Sequence, residues 1–138
     1  MPSISLLLFS GSNTGIGKET AKDLAARNAR VIMLCRTVSK AQEAANEIKQ
    51  ETGKTVEIEE LDLSSLQSVR DCAKVLNKKL DRIDYLINNA GVMLSPKNMR
   101  TKDGFDLQFG TNHLGHFLLT NELMPLIRAS AKTGFHPR

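Results

Sequence analysis

The chain has 138 residues, the length of one domain, with 41% hydrophobic residues, 25% charged residues and a net charge of +4. No apolar run reaches the roughly 20 residues of a membrane-spanning helix. The basic residues are scattered among acids and few aromatics, which argues against nucleic-acid binding. Cys35 and Cys72 match no metal spacing. We therefore expect no metal, nucleic acid or membrane segment, and a cytoplasmic protein with reduced thiols, membrane-associated only if a longer form carries an anchor.

Apolar and amphipathic segments alternate along the chain. Short apolar runs predict buried strands at 4–9, 30–35 and 83–88, and alternating polarity predicts a half-exposed edge strand at 55–61. Helical periodicity predicts helices over about 16–27, 39–50, 64–80 and 104–129, with a polar loop at 95–103. This alternation predicts an α/β fold, a Rossmann-like doubly wound sheet of four parallel strands in the order 3-2-1-4, with helices on both faces.

A glycine-rich turn joins the first strand to the first helix. Its spacing, Gly11-x-x-x-Gly15-x-Gly17, differs from the G-x-G-x-x-G dinucleotide fingerprint. A strand, a glycine turn and a helix start can hold a pyrophosphate, because glycines allow close approach and helix N–H groups face the anion. A P-loop would need glycine at Ser12 and a hydroxyl residue at Glu19. A nucleoside triphosphatase is therefore disfavoured, and position argues against an ordinary turn.

The run from Ser12 to Ala21 resembles the loop of the short-chain dehydrogenase/reductases, and most closely that of their retinol-dehydrogenase-like branch. Ser10 stands where that family usually has Thr, so a hydroxyl is kept. The resemblance implies that the loop binds the pyrophosphate of a nicotinamide dinucleotide. The predicted binding residues here are Gly11, Ser12, Asn13, Thr14, Gly15, Ile16 and Gly17.

Arg36 lies at the end of the second predicted strand, 19 positions after Gly17, and no acid occupies positions 34–39. In dinucleotide folds an acid near this point binds the ribose 2′-hydroxyl of NAD, whereas an arginine accommodates a 2′-phosphate. A solvent-exposed arginine at a strand end has similar spacing. The resemblance favours an arginine that binds the 2′-phosphate over one that is only exposed at a strand end. We therefore expect NADP(H) as cofactor, with NAD(H) as the weaker ligand.

Further family motifs follow the third and fourth strands. The resemblance implies that Asp62, with Leu63, contacts the adenine, although Asp62 could also serve as a turn or helix-entry acid. The run 88–91 matches the family's Asn-Asn-Ala-Gly motif beside the nicotinamide ribose. It adds three predicted cofactor-binding residues, which are Asn89, Ala90 and Gly91.

One catalytic position of the family is matched within the last predicted helix. Asn112 corresponds to the catalytic asparagine, which helps to hold a proton-relay water in the family. His113 and His116 are three residues apart, so we expect them on one side of the helix as ordinary packing or surface histidines.

The family's general acid or base is the tyrosine of a Tyr-x-x-x-Lys motif, preceded by a serine. The sole tyrosine here is Tyr85, and Asn89 stands four residues later, so the motif is absent. We therefore expect 1–138 to be a single, incomplete NAD(P)-binding domain of an oxidoreductase for a retinoid, steroid or other lipophilic substrate, catalytically incomplete by itself. The alternative is a non-catalytic nucleotide-binding or protein-interaction module. The apolar fourth strand is expected to be an open edge that favours self-association.

Overall fold

The computed structural model describes residues 4–134 and 136–138. Four parallel strands form the sheet, in the order β3-β2-β1-β4, which confirms the predicted topology. They are β1 (Leu6–Ser10), β2 (Arg30–Cys35), β3 (Glu57–Glu60) and β4 (Tyr85–Ile87). The central strand β1 is buried throughout, as expected for a parallel sheet covered on both faces.

Helices cover both faces of the sheet, and alternate residues of β2 point to opposite faces. On one face Val31 and Met33 pack with the alanine-rich sides of α1 (Gly15–Ala26) and α2 (Val38–Thr52). On the other face Ile32 and Leu34 pack with α3 (Leu66–Lys79) and the last helix. Small alanines on the first face bring α1 close to the strand ends, where the glycine turn lies.

The predicted boundaries of the first three helices agree closely with the structure, because local signals set them. The chain leaves α1 at Asn28, which has a left-handed φ of 69°, and α2 ends at Gly53 with a φ of 70°. The N-terminus of α3 is capped by Ser65, whose hydroxyl accepts the N–H of Ser68 at 3.2 Å. The strand β4 is shorter than predicted; just before it, the N–H of Ile83 donates to the carbonyl of Leu126 and the N–H of Asp84 donates to that of Leu6 in β1.

The last helix differs from the prediction. It begins later, with a short helix α4 (Leu107–Phe109), continues as a π-helical turn over Gly110–Gly115, and then becomes α5 (His116–Ala131). The wider π turn shifts the register of the side chains. As a result His113 is exposed whereas His116 is 6% exposed, and the expectation that both histidines share one side is wrong.

The outer edge of β4 is partly covered by the chain itself. The N–H of Arg138 donates to the carbonyl of Asp84 at 3.2 Å, and its carbonyl accepts the N–H of Leu86 at 2.9 Å. This is the hydrogen-bond pattern of a parallel strand pair. The prediction of an open edge is therefore wrong at the carbonyl of Asp84 and the N–H of Leu86. Self-association stays a prediction.

A buried carboxylate joins β1, β4 and α5. Asp84 is 2% exposed and accepts hydrogen bonds from the N–H of Leu6 at 2.8 Å, from Arg82 Nε at 3.0 Å and from the hydroxyl of Ser130. Burial alone would raise the pKa of Asp84, but these hydrogen bonds outweigh it and the pKa is lowered. The side chain therefore stays ionised inside the fold.

Both cysteines are buried and unpaired. Burial raises the pKa of Cys72 to about 12 and raises that of Cys35 as well, so both are poor nucleophiles at neutral pH. Within 4–134 and 136–138, no helix combines the length and the apolar character that crossing a bilayer requires.

Candidate functional site

A cavity of about 480 Å³ opens at the carboxyl ends of the parallel strands, where doubly wound sheets bind their ligands. The loops after β1, β3 and β4 line it together with the end of β2. All of the predicted cofactor residues except Ser12 and Gly15 lie on its wall: Gly11, Asn13, Thr14, Ile16, Gly17, Arg36, Asp62, Leu63, Asn89, Ala90 and Gly91. The catalytic candidate Asn112 is not on the wall but lies directly behind Gly91.

The wall also contains residues that the sequence did not single out, namely Leu34, Cys35, Leu61, Ser64, Val92, Leu107 and Thr111. Most of them lie next to a predicted residue in the chain, Thr111 beside Asn112 included, so the neighbouring motifs could have indicated them. Leu107 could not be found in this way, because the last helix brings it to the cavity from a distant part of the chain.

The glycine turn leaves room for close backbone contacts. Gly11 has a left-handed φ of 65°, and a Cβ placed there would lie 2.7 Å from the Cα of Ala90. A Cβ on Gly17 would lie 2.4 Å from the carbonyl oxygen of Gly11. Thr14 occupies the N-cap position of α1, but its side chain accepts no hydrogen bond from the helix. The first turn of α1 contains no acidic residue. The first N–H groups of α1 therefore face the cavity without a competing side chain, as an anion-binding helix end requires.

A hydrogen-bond network centred on the buried side chains of Ser10 and His116 joins three segments behind this turn. We call it the Ser10 network, and its members are Ser10, Asn89, Ala90, His116 and Asn112. The hydroxyl of Ser10 accepts the N–H groups of Asn89 and Ala90, both at 3.0 Å, and lies 2.8 Å from His116 Nε2. His116 Nδ1 lies 3.0 Å from the carbonyl oxygen of Asn112. A carbonyl can only accept, so Nδ1 carries the proton and Nε2 accepts from Ser10.

The same network keeps His116 neutral. Burial lowers the pKa of His116, and the hydrogen bond to the Asn112 carbonyl opposes this effect only in part. A proton on Nε2 would also face the hydroxyl of Ser10, whose oxygen already accepts two backbone N–H groups. His116 is therefore a structural partner of the glycine turn, in agreement with the expectation of an ordinary packing histidine, although its partners were not foreseen.

Two asparagine side chains hold the loop after β4. Asn89 Nδ2 donates to the carbonyl oxygens of Ser10 and Gly11, both at 3.1 Å. Asn112 accepts the N–H of Val92 at 2.8 Å and donates to its carbonyl at 2.9 Å. Each amide thus bridges backbone groups of a neighbouring segment, which fixes the cavity wall between the glycine turn and the π turn. The catalytic role of Asn112 stays a prediction.

Charged side chains lie at the far end of the cavity. Arg36 is exposed and, in the part of the chain that the structure describes, makes neither an ion pair nor a side-chain hydrogen bond. Asp62 accepts from the N–H and the hydroxyl of Ser64 at 3.0 and 2.6 Å and from Lys102 Nζ at 3.0 Å. Burial opposes ionisation of Asp62, yet these hydrogen bonds lower its pKa. The cavity therefore ends in a guanidinium without a counter-ion and an ionised carboxylate.

Among the described residues, no group of three or more His, Cys, Asp or Glu side chains is placed to hold a metal ion. The polar groups on the cavity wall are instead backbone N–H groups, amides, a carboxylate and a guanidinium. Such groups bind phosphates, riboses and nucleobases, which agrees with the dinucleotide that the sequence predicts.

Comparison with known proteins supports the same interpretation. The sequence model of the short chain dehydrogenases matches residues 6–134. Retinol dehydrogenase 13 of Homo sapiens is 49% identical over 126 residues, and retinol dehydrogenase 11 of Mus musculus is 50% identical over 125. These alignments cover 91% and 90% of this chain but 38% and 39% of the relatives, so the chain spans about two fifths of their length.

Solved structures are also similar to this fold. An uncharacterised protein of Mycobacterium paratuberculosis superimposes with a TM-score of 0.77 at 45% identity, covering 89% of this chain and 42% of that one. A short chain dehydrogenase of Escherichia coli CFT073, crystallised with NADPH, gives a TM-score of 0.77 at 28% identity, covering 91% of this chain and 54% of that one.

Proposed function

Because the chain belongs to the short-chain dehydrogenase family, we propose that it is the NADP(H)-binding portion of an oxidoreductase that acts on the alcohol or carbonyl group of a lipophilic molecule. The similarity to proteins named retinol dehydrogenases supports a retinoid, a steroid or a related substrate. The E. coli neighbour that holds NADPH supports the cofactor. A cytoplasmic location stays a prediction.

One observation carries the proposal, which is the cradle at the start of α1. The close approach of Gly17 to Gly11 leaves no space for a side chain. The side chain of Thr14 leaves the first helical N–H groups uncapped. A diphosphate needs such a concave backbone surface with free donors. The residues present therefore fit a dinucleotide.

The other residues on the wall have distinct roles in this proposal. Arg36 binds the 2′-phosphate, because its guanidinium has no competing partner among the described residues and can donate bidentately. Asp62 accepts from the adenine amino group, and Asn89 and Ala90 hold the wall beside the nicotinamide ribose. NADP(H) would supply or accept the hydride when bound.

The sequence contains Asn112 from the family's catalytic group but no Tyr-x-x-x-Lys motif. A positioned proton donor typically contributes about 10²–10⁴-fold to such a reaction. We therefore propose that the 138-residue chain binds cofactor without appreciable turnover. Asn112 would act here by holding Val92 and the loop after β4 in place.

Titration of the purified chain with NADPH and NADH, followed by the fluorescence of the reduced nicotinamide, tests the proposal. We expect NADPH to bind more tightly than NADH. The variant Arg36→Ala should lose about tenfold in NADPH affinity, because one exposed charge-assisted contact to phosphate is removed. Its NADH affinity should stay unchanged, since NADH lacks the 2′-phosphate.

The matched control is Arg70→Ala, which removes the same charge from the exposed side of α3, away from the cavity. It should leave both affinities unchanged. If the chain binds neither dinucleotide, the proposal is wrong. If Arg36→Ala and Arg70→Ala weaken NADPH equally, net charge rather than a 2′-phosphate contact explains the preference.

A further inference from the structure

The loop after β4 exposes two apolar side chains that are neighbours in the chain. Met93 is 80% exposed and Leu94 is 91% exposed, more than any other large hydrophobic residue that the structure describes. We call these two residues the apolar tip. Single exposed apolar residues are ordinary on a protein surface, whereas adjacent ones at the end of a loop indicate a contact outside the chain.

The backbone holds the apolar tip in place from both sides. Asn112 bonds to the N–H and the carbonyl of Val92, at 2.8 and 2.9 Å. Beyond the tip, the carbonyl of Met99 accepts the N–H of Leu107 at 3.0 Å. Between these anchors Leu94 has a left-handed φ of 54°, which a bulky residue adopts only at a cost in free energy. The loop therefore combines an unfavourable backbone angle with an exposed leucine, and neither stabilises the free chain.

Cations without acidic partners follow the apolar tip. Lys97 and Arg100 are exposed, and no Asp or Glu occurs at positions 92–102. Within residues 4–134 and 136–138, neither cation forms an ion pair. The loop thus presents apolar side chains together with free positive charge, which complements a surface that is apolar inside and anionic outside.

We propose that the apolar tip enters the surface of a lipid bilayer, where Lys97 and Arg100 bind anionic headgroups. Such peripheral binding grows with the buried apolar area and with the attraction to anionic lipids, so a small tip is sufficient. A protein partner fits less well, because a stable interface buries about 800 Å² on each side. Val92, next to the tip, lies on the cavity wall, so the cavity would open near the bilayer.

Flotation of the purified chain with phospholipid vesicles tests the proposal. We expect the chain to bind vesicles of mixed phosphatidylcholine and phosphatidylserine, and to bind vesicles of phosphatidylcholine alone more weakly. Raising the salt concentration should weaken binding to the mixed vesicles, because it screens the charged contacts.

The variant Leu94→Asn removes the apolar side chain without straining the loop, because asparagine tolerates the left-handed angle. Partition into mixed vesicles should fall about tenfold, the lower end of the effect of burying a leucine side chain. The thermal midpoint should equal or exceed that of the wild type, whereas replacing a residue that supports the fold would lower it. The control is Val75→Asn, which changes a 44% exposed residue of α3 and should leave vesicle binding unchanged.

The charged contacts are tested by Lys97→Gln and Arg100→Gln. Each variant should lower partition into mixed vesicles about fivefold, the usual effect of one basic residue near an anionic membrane. Neither should change binding to phosphatidylcholine alone. The controls Arg70→Gln and Lys74→Gln remove the same charges from exposed positions of α3, and they should lose less because these positions are remote from the apolar tip.

A fluorescent reporter distinguishes insertion from adsorption by charge. The sequence contains no tryptophan, so Met93→Trp places a single one at the apolar tip. Its emission should shift to shorter wavelengths on mixed vesicles and should be quenched by brominated lipid. The control Val75→Trp should show neither effect.

Four results would each overturn the proposal. The wild type might fail to float with mixed vesicles, Leu94→Asn could bind them as well as the wild type does, or the α3 charge controls could lose as much as Lys97→Gln. An unshifted emission of Met93→Trp on vesicles that hold the chain is the fourth. Self-association in vesicle-free buffer that Leu94→Asn abolishes would also overturn the proposal, since a second copy would then cover the tip. Binding of NADPH is independent of these outcomes, because neither tip residue lies on the cavity wall.

Discussion

Asp84→Ala should remove a large part of the stability of the fold. The carboxylate is 2% exposed and accepts from the buried N–H of Leu6 at 2.8 Å and from the hydroxyl of Ser130. Alanine would leave both donors unpaired, at about 1–3 kcal/mol each. The expected loss is therefore about 3–5 kcal/mol, a substantial part of the roughly 5–15 kcal/mol by which domains are stable.

Urea unfolding followed by circular dichroism measures this loss. With the usual slope of about 1–3 kcal/mol per molar urea, the midpoint should fall by roughly 1–5 M. Asp84→Asn keeps one acceptor oxygen, so it should lose less than Asp84→Ala. The control is Asp81→Asn, which changes an exposed carboxylate three residues earlier and should stay within about 0.5 kcal/mol of the wild type.

The pH dependence of the same measurement has a defined sign. The pKa of Asp84 is lowered in the fold from its ordinary 3.8. Its contribution to stability is therefore present above about pH 4 and lost as the pH falls towards the folded pKa. The difference between the wild type and Asp84→Asn should shrink below pH 4. If Asp84→Ala costs less than about 1 kcal/mol, or behaves like Asp81→Asn, the carboxylate does not join the strands in the way described.

The remaining predictions concern the glycine turn and the region behind it. Gly17→Ala places a Cβ 2.4 Å from the carbonyl oxygen of Gly11, so it should cost about 1–3 kcal/mol of stability and weaken NADPH binding. Gly91→Ala meets its nearest atom at 3.6 Å, an ordinary contact, and should cost less, and equal losses in urea unfolding would argue against a tight cradle. The imidazole of His116 should appear in nitrogen NMR as the neutral form with its proton on Nδ1, and a proton on Nε2 would contradict the assignment. Because the pKa of His116 is lowered from 6.5 in the fold, the free energy of unfolding should decrease as the pH drops below about 6.5 in the wild type but not in His116→Gln. Ser10→Thr, which keeps the hydroxyl, should retain the stability that Ser10→Ala loses.

Local patterns were sufficient for the elements of the fold. The periodicity of the apolar residues fixed the alternation of strands and helices, and Ser65, Asn28 and Gly53 fixed where helices begin and end. Such signals act over a few residues, so they are readable without any tertiary information. The strand order could also be predicted, because parallel strands joined by right-handed helical connections allow few arrangements.

The last helix shows where local patterns fail. Its sequence is compatible with one continuous helix from Gly104 or Phe105, yet the structure has a π turn over Gly110–Gly115. Packing decides this, because the backbone at Gly115 must come within contact of Leu63. The turn then buries His116 and exposes His113, an outcome that spacing alone cannot give.

The sequence by itself determined which residues form the glycine turn, which arginine follows β2 and which asparagines follow β4. It could do so because each of these motifs lies within a short stretch of chain. Only the tertiary structure decided which polar groups meet, since Ser10 and His116 are 106 residues apart. It likewise decided that the hydroxyl of Thr111 meets none among the described residues. The partner of a buried polar atom depends on chain segments brought together by packing, and no local pattern records them.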